Sequence, residues 1–233
     1  MHHKATSHIS SSHISAPKTR SQVGLAPKAV DQQKKPEEVV GGEVEIGHFD
    51  EEAPIVTLFL MAVQLLFSWP GYLIVNASRD FSFSDFGILL TLGGLVHATM
   101  QTSFLTVTKY YGIPYIFVNF WLALIAFLQH TDPKLPNYRE GAFNFQRGAL
   151  STVDRSYGKF LDHRFHGITN THVVHHLFSQ MPFYHAEEAT VHLKKLLGKY
   201  YIYDDTPIAV AYWRTFRECR FVEDEGDVVF FKK

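Results

Sequence analysis

Two runs without a single charged residue constrain this chain more than any other feature. One lies between Glu52 and Arg79, and the other covers residues 86–108. Each is long enough for a helix to cross a bilayer core of about 30 Å, which needs about 20 residues. The pair Pro70-Gly71 would kink a soluble helix, but a membrane span tolerates it where a neighbour satisfies the freed carbonyl. The polar link from Arg79 to Asp85 makes the two runs a transmembrane helical hairpin, with spans expected at residues 55–76 and 86–108. A third apolar block, residues 113–128, is shorter and ends on Gln129-His130-Thr131-Asp132-Pro133. An interfacial helix over about 113–129 suits it better than a further span. A buried, soluble all-helical core is the alternative, but three such blocks are hard to bury in 233 residues.

The expected fold is therefore an all-α membrane protein in three parts. Residues 1–52 form a polar segment, 53–131 the membrane region, and 132–233 a His-rich helical cap. No apolar signal region follows Met1. Within the cap, Ala186 to Leu197 has helical period and Gly198 reads as its C-cap. There are no internal repeats.

Charge and sulfur exclude several classes of function. Lys and Arg number 22 against 23 Asp and Glu, so no basic field exists to attract nucleic acid. Cys219 is the single cysteine, which excludes an intramolecular disulfide and a thiolate metal cluster. Fourteen histidines leave imidazole as the obvious metal ligand. His172, His175 and His176 stand at i, i+3 and i+4 of an expected helix and project from one face. Thr169, Asn170 and Thr171 are candidates to orient them. His130 closes the third apolar block. His2 and His3 open the chain, with His8 and His13 following in a Ser/His-rich loop. His97 lies inside the second run, where packing is expected, with Thr99, Gln101 and Thr102 offering hydrogen bonds. A carboxylate-bridged bundle would need two Glu-x-x-His motifs on facing helices, and only Glu45 to His48 fits that spacing. Neither a phosphate loop nor a nucleophile elbow is present.

Three stretches carry a resemblance: Leu128-Gln-His-Thr-Asp-Pro-Lys-Leu-Pro-Asn-Tyr138, Arg147-Gly-Ala-Leu-Ser-Thr-Val-Asp-Arg-Ser-Tyr157, and His172-Val-Val-His-His-Leu-Phe-Ser-Gln-Met-Pro-Phe-Tyr-His-Ala-Glu-Glu-Ala189. The chain resembles the membrane fatty-acid desaturases, and within them the delta-12 oleate desaturases of fungi and plants. That resemblance implies two non-haem iron ions, with His172, His175 and His176 as the third histidine box and His130 as an additional ligand. His2 and His3 match the last two members of the second box, while the first box has no counterpart, so an N-terminally truncated copy is expected.

The resemblance further implies O2-dependent insertion of a cis double bond into oleoyl chains. Cytochrome b5 would donate the electrons, and the site would face the cytosol from the endoplasmic reticulum membrane. It also makes the number of spans between the second and third boxes even, in keeping with a hairpin. Aromatic residues of the spans, such as Phe67, Trp69 and Phe104, are expected to line an acyl tunnel or to face lipid and other helices. Omega-3 desaturation, oleate hydroxylation and a catalytically inactive remnant are the competing readings.

Overall fold

The structure is a computed structural model describing residues 6–9, 17–25, 53–75 and 83–233. His2, His3 and His13 lie outside the described residues. The chain divides into two compact units, Gly41–Leu124 and a second made of Met1–Val40 with Ile125–Lys233.

The first unit holds α1 (Pro54–Val75), α2 (Phe83–Gln101), the short α3 (Phe104–Val107) and most of α4 (Ile113–His130). On α1, Thr57, Met61 and Leu65 are buried at a spacing of four, while Leu58, Phe59, Val63 and Phe67 on its other faces are exposed. Leu89, Leu90, Leu92 and Val96 of α2 and Ile116, Phe117 and Val118 of α4 are exposed as well. So many large apolar side chains left exposed on three helices are more than a water-facing monomer ordinarily carries. Phe67 and Phe104 are both exposed, whereas the Trp69 side chain lies outside the description.

Pro70 lies inside α1 and cannot donate to the Leu66 carbonyl four residues back. The fully buried Asn119 of α4 takes that role, its Nδ2 donating to the Leu66 carbonyl and, at 3.0 Å, to that of Leu65. The freed carbonyl is thus satisfied by a neighbouring helix, as the Pro70-Gly71 pair required. We expect Asn119→Leu to cost about 1–2 kcal/mol of stability, and less when Pro70→Ala restores the intrahelical donor. Thermal unfolding of both single variants and the double variant measures this coupling.

The third apolar block forms the expected helix, α4, and that helix is continuous with residues before it. Ser103 caps α3 by accepting the Thr106 N–H at 3.1 Å. A π-helical turn, Thr108–Gly112, then joins α3 to α4. The Ile113 N–H reaches back to the Thr108 carbonyl, a wide turn that steps past the missing N–H of Pro114 without ending the helix. The result is one 27-residue helix, Phe104–His130, the single helix among the described residues long and apolar enough to cross a membrane. The apolar lengths of α1 and α2, Pro54–Ser68 and Phe86–Gln101, are shorter. The packing expected for His97 is corrected. Its side chain is exposed, and Thr99 and Thr102 donate to the Leu95 and Ala98 carbonyls of their own helix.

The second unit carries α5 (Phe145–Leu150), α6 (Lys159–Arg164), α7 (His172–Leu177), α8 (Phe183–Leu197) and α9 (Ile208–Glu218). Gly198 ends α8 at positive φ, as its position predicted. The all-α expectation needs one correction, because two small ribbons are present. β1 (Pro136–Tyr138) pairs antiparallel with β4 (Val228–Phe230), Asn137 opposite Val229. β2 (Asp154–Arg155) pairs parallel with β3 (Tyr203–Asp204). Val228-Val229-Phe230 suits a pleated edge, but a strand of three residues is too short for alternation to reveal.

The N-terminal segments dock on this unit. Ile9 N–H donates to the Tyr138 carbonyl at 3.1 Å, and Arg20 N–H donates to that of Val222 at 2.8 Å. Val222, Val229 and Phe231 form a small core with Ile9 and Cys219 packed against it. Val173, Val174, Ala186 and Leu193 form another between α7 and α8. The apolar side of the histidine helix is thereby anchored, leaving its other side for polar contacts.

Candidate metal centre

His130 is the last residue of α4, which stops ahead of Pro133 with the Asp132 side chain accepting the Lys134 N–H. The end of α4 is tied to β2. Val153 N–H donates to the Gln129 carbonyl, and Arg155 Nη2 lies 3.4 Å from the Leu128 carbonyl. β2 in turn holds the entry to α7. Arg155 N–H donates to the Thr169 carbonyl at 2.9 Å, and Asp154 Oδ1 accepts the Val173 N–H at 2.8 Å. With six residues α7 is too short to be stable alone, and Thr171 at its N-cap makes no side-chain cap bond. Asp154, supported by the Tyr201 hydroxyl, supplies the missing cap from another element. Burial pushes the Asp154 carboxyl up to about 6, against the lowering influence of its bonds to Tyr201, Val173 and His172.

Beneath this frame runs a buried ion cluster. Arg155 is fully buried and pairs with Asp204 and, at 3.4 Å, with Asp132. Arg214 approaches the same two carboxylates at 2.6 and 3.5 Å. Burial works against ionisation of Asp204, but the Thr206 bonds and the two guanidinium groups prevail and hold its carboxyl well below the usual range. The cluster joins the segment after α4 to β2, β3 and α9.

His130, His172 and His176 converge as a result. All three are buried, and one ring nitrogen from each lies within 4.8 Å of the others. The His172 Nε2 is 3.1 Å from His130 Nε2 and 3.2 Å from His176 Nε2. The remaining nitrogen of His172, Nδ1, faces the Ile168 carbonyl at 3.0 Å. A carbonyl only accepts, so this Nδ1 carries the proton and Nε2 presents a lone pair to its two neighbours. Nitrogen atoms that close need either an N–H hydrogen or a metal between them. Bonds of about 2.1 Å to one metal, about 90–110° apart, place ligand nitrogens about 3.0–3.4 Å from each other, which matches the two distances from His172 Nε2. Three imidazoles with no thiolate suit a first-row transition metal.

His175 stands beside the group without joining it. Its ring centroid is 5.6 Å from that of His172 and 5.8 Å from that of His176, and it is half-buried. His8 is buried edge-on against Phe143 at 4.8 Å.

The three candidates for orienting the box turn elsewhere: the Thr169 hydroxyl donates to Asp162 and the Thr171 hydroxyl to the Gly167 carbonyl, while Asn170 Oδ1 is buried without a partner. The Ile168 carbonyl and the Thr6 hydroxyl are the groups that face His172 Nδ1 and His176 Nδ1, while Asp154, Arg155 and Tyr201 hold the entry to α7. Sequence reasoning passed over these residues because a lone Asp-Arg pair or a loop threonine has no helical spacing to mark it.

Comparison with known proteins agrees with this geometry. The fatty acid desaturase family model matches residues 53–207. The whole chain aligns with the Delta(12) fatty acid desaturases of Mortierella isabellina, at 64% identity, and Mortierella alpina, at 63%. It spans 62% of the length of each. An oleoyl-12-hydroxylase of Ricinus communis is 42% identical over 71% of this chain and 49% of its own length. With the family model matching well over half its residues and the three buried histidines gathered at one point, the chain belongs to the fatty acid desaturase family.

Proposed function

We propose that this chain forms the metal-binding cap and membrane anchor of an O2-dependent Delta(12) acyl desaturase acting on oleoyl chains in the endoplasmic reticulum membrane. The observation that carries the reading is the buried convergence of His130, His172 and His176 in a chain 64% identical to a Delta(12) fatty acid desaturase. Two iron ions are the proposed cofactor, with His175, His2 and His3 completing the ligands that this chain supplies. When bound, the irons supply the oxidation of an unactivated methylene by O2. The protein's residues hold imidazole nitrogens at fixed positions and keep them dry, and exposed apolar helices hold the acyl chain in the membrane. His3 and His2 precede Thr6 by three and four residues, a tether of at most about 14 Å, and Thr6 lies 3.3 Å from His176. Electrons are proposed to come from cytochrome b5. Hydroxylation is the second activity to test, since a 12-hydroxylase is among the relatives.

Expression in a yeast that makes oleate but no linoleate tests the reading, by mass spectrometry of total fatty acids. Linoleate is the expected product. A hydroxylated acyl chain would replace desaturation with hydroxylation, and unchanged lipids beside bound iron would restrict this chain to metal binding.

For the membrane topology, the hairpin reading places crossings at α1 and α2, with residues 113–129 in the interface. Segments before and after the apolar helices pack in one unit, which supports an even number of crossings. A second placement uses α1 and the helix Phe104–His130, and is favoured by the length of that helix and by the Asn119 bond to α1. Ser103 separates the two. In a Cys219→Ser background, Ser103→Cys is labelled by an impermeant maleimide at the cytosolic face of sealed microsomes if α2 crosses. It is protected if Phe104–His130 crosses instead.

A further inference from the structure

His176 differs from His172 in how its outer nitrogen is held. In place of a backbone carbonyl of its own loop, the Nδ1 of His176 meets the hydroxyl of Thr6, 170 residues away in sequence, at 3.3 Å. Thr6 is almost fully buried. Its segment is fixed by the Ser7 hydroxyl, which donates to the Ser151 carbonyl, and by Tyr138, whose N–H donates to the Ser7 carbonyl at 2.8 Å while its own carbonyl accepts the Ile9 N–H. It runs directly over Gly148 of α5. A Cβ at that position would lie 2.6 Å from the Thr6 carbonyl oxygen and 2.8 Å from the Phe143 ring. Backbone cannot yield at such a distance as a flexible side chain can, so only glycine lets the segment sit this close.

We propose that Thr6 is a positioning residue for the metal centre: seated over Gly148, its hydroxyl holds the His176 ring with Nε2 turned toward His172 and His130. A hydroxyl that accepts from Nδ1–H keeps the proton on the outer nitrogen and leaves Nε2 free to bind, the same tautomer that Ile168 enforces on His172. The two rings of α7 are thereby oriented alike, one by its own loop and one by the N-terminal segment. A contact so remote in sequence also couples metal binding to the docking of that segment.

The inference rests on the reading of the three histidines as a metal site, and the test separates the two. Cobalt(II) is titrated into the full chain in detergent and followed by its visible absorption, for the unsubstituted protein and for Thr6→Val, Thr6→Ser and Gly148→Ala. Valine keeps the shape of threonine and removes only the hydrogen-bonding group, so Thr6→Val is expected to weaken cobalt affinity about 10- to 100-fold. Thr6→Ser is expected to retain most of the affinity. Gly148→Ala, which displaces the Thr6 backbone, is expected to weaken it while leaving every histidine in place.

Unchanged affinity in Thr6→Val, or equal weakening in Thr6→Ser and Thr6→Val, would overturn the role of the hydroxyl. If Thr6→Val does not fold, Gly148→Ala decides, and native affinity there overturns the proposal. No cobalt absorption in the unsubstituted chain would overturn the metal site and this inference together, whereas binding that is insensitive to Thr6 overturns the inference alone.

Discussion

Replacing His172 with alanine is expected to reduce desaturation to background in a chain of the relatives' full length, with membrane insertion intact. His172 is the hub of the group, its Nε2 within 3.2 Å of both other ring nitrogens. Its removal takes away one ligand and the neighbour of the remaining two. Fatty-acid profiling with parallel metal analysis measures both consequences, and cobalt binding to the three-histidine group should be lost as well. His175→Ala is also expected to abolish product. Since the His175 ring lies outside the converging group, that variant should retain cobalt at His130, His172 and His176. Product formation by the His172 variant would remove the group from the reaction.

Arg155→Met is the second large effect, and it acts on stability. The guanidinium is fully buried between Asp132 and Asp204, whose side chains are themselves almost completely covered. Removing one partner of such a pair leaves charge buried without compensation, at a cost of about 3–5 kcal/mol. Arg214, whose side chain is about a third exposed, compensates only in part. The purified variant should unfold at markedly lower temperature or fail to accumulate. Adding Asp204→Asn should recover part of the loss, because it removes a carboxylate that would otherwise be stranded. A melting temperature unchanged by Arg155→Met would mean that the cluster is not a fastening of the cap.

The elements legible in the sequence were those with a local period. The apolar runs became α1, α2 and the helix ending at His130, although the second run, expected to span 86–108, stops at Gln101 and gives residues 104–108 to that last helix; His172, His175 and His176 do lie on a helix. Gly198 caps α8 because positive φ is a property of the residue itself. What sequence could not convey was the division of labour among the histidines. Spacing places 172, 175 and 176 on one face, but only the docking of α4 selects the pair at i and i+4 to meet His130. Likewise nothing in the sequence shows that a π turn carries the helix past Pro114 from Phe104 onward. Thr6, Asp154 and Arg155 act through partners up to 170 residues distant, and no local pattern reports such pairs.

His130, His172 and His176 are proposed to bind one metal ion through their Nε2 atoms. X-ray absorption at the iron edge of the purified, iron-loaded chain tests it most directly. A nitrogen shell at about 2.1 Å is expected, with the outer scattering of imidazole rings, and both should weaken together with the bound iron on His172→Ala. An all-oxygen shell without imidazole scattering, or a spectrum indifferent to His172, would contradict the proposal.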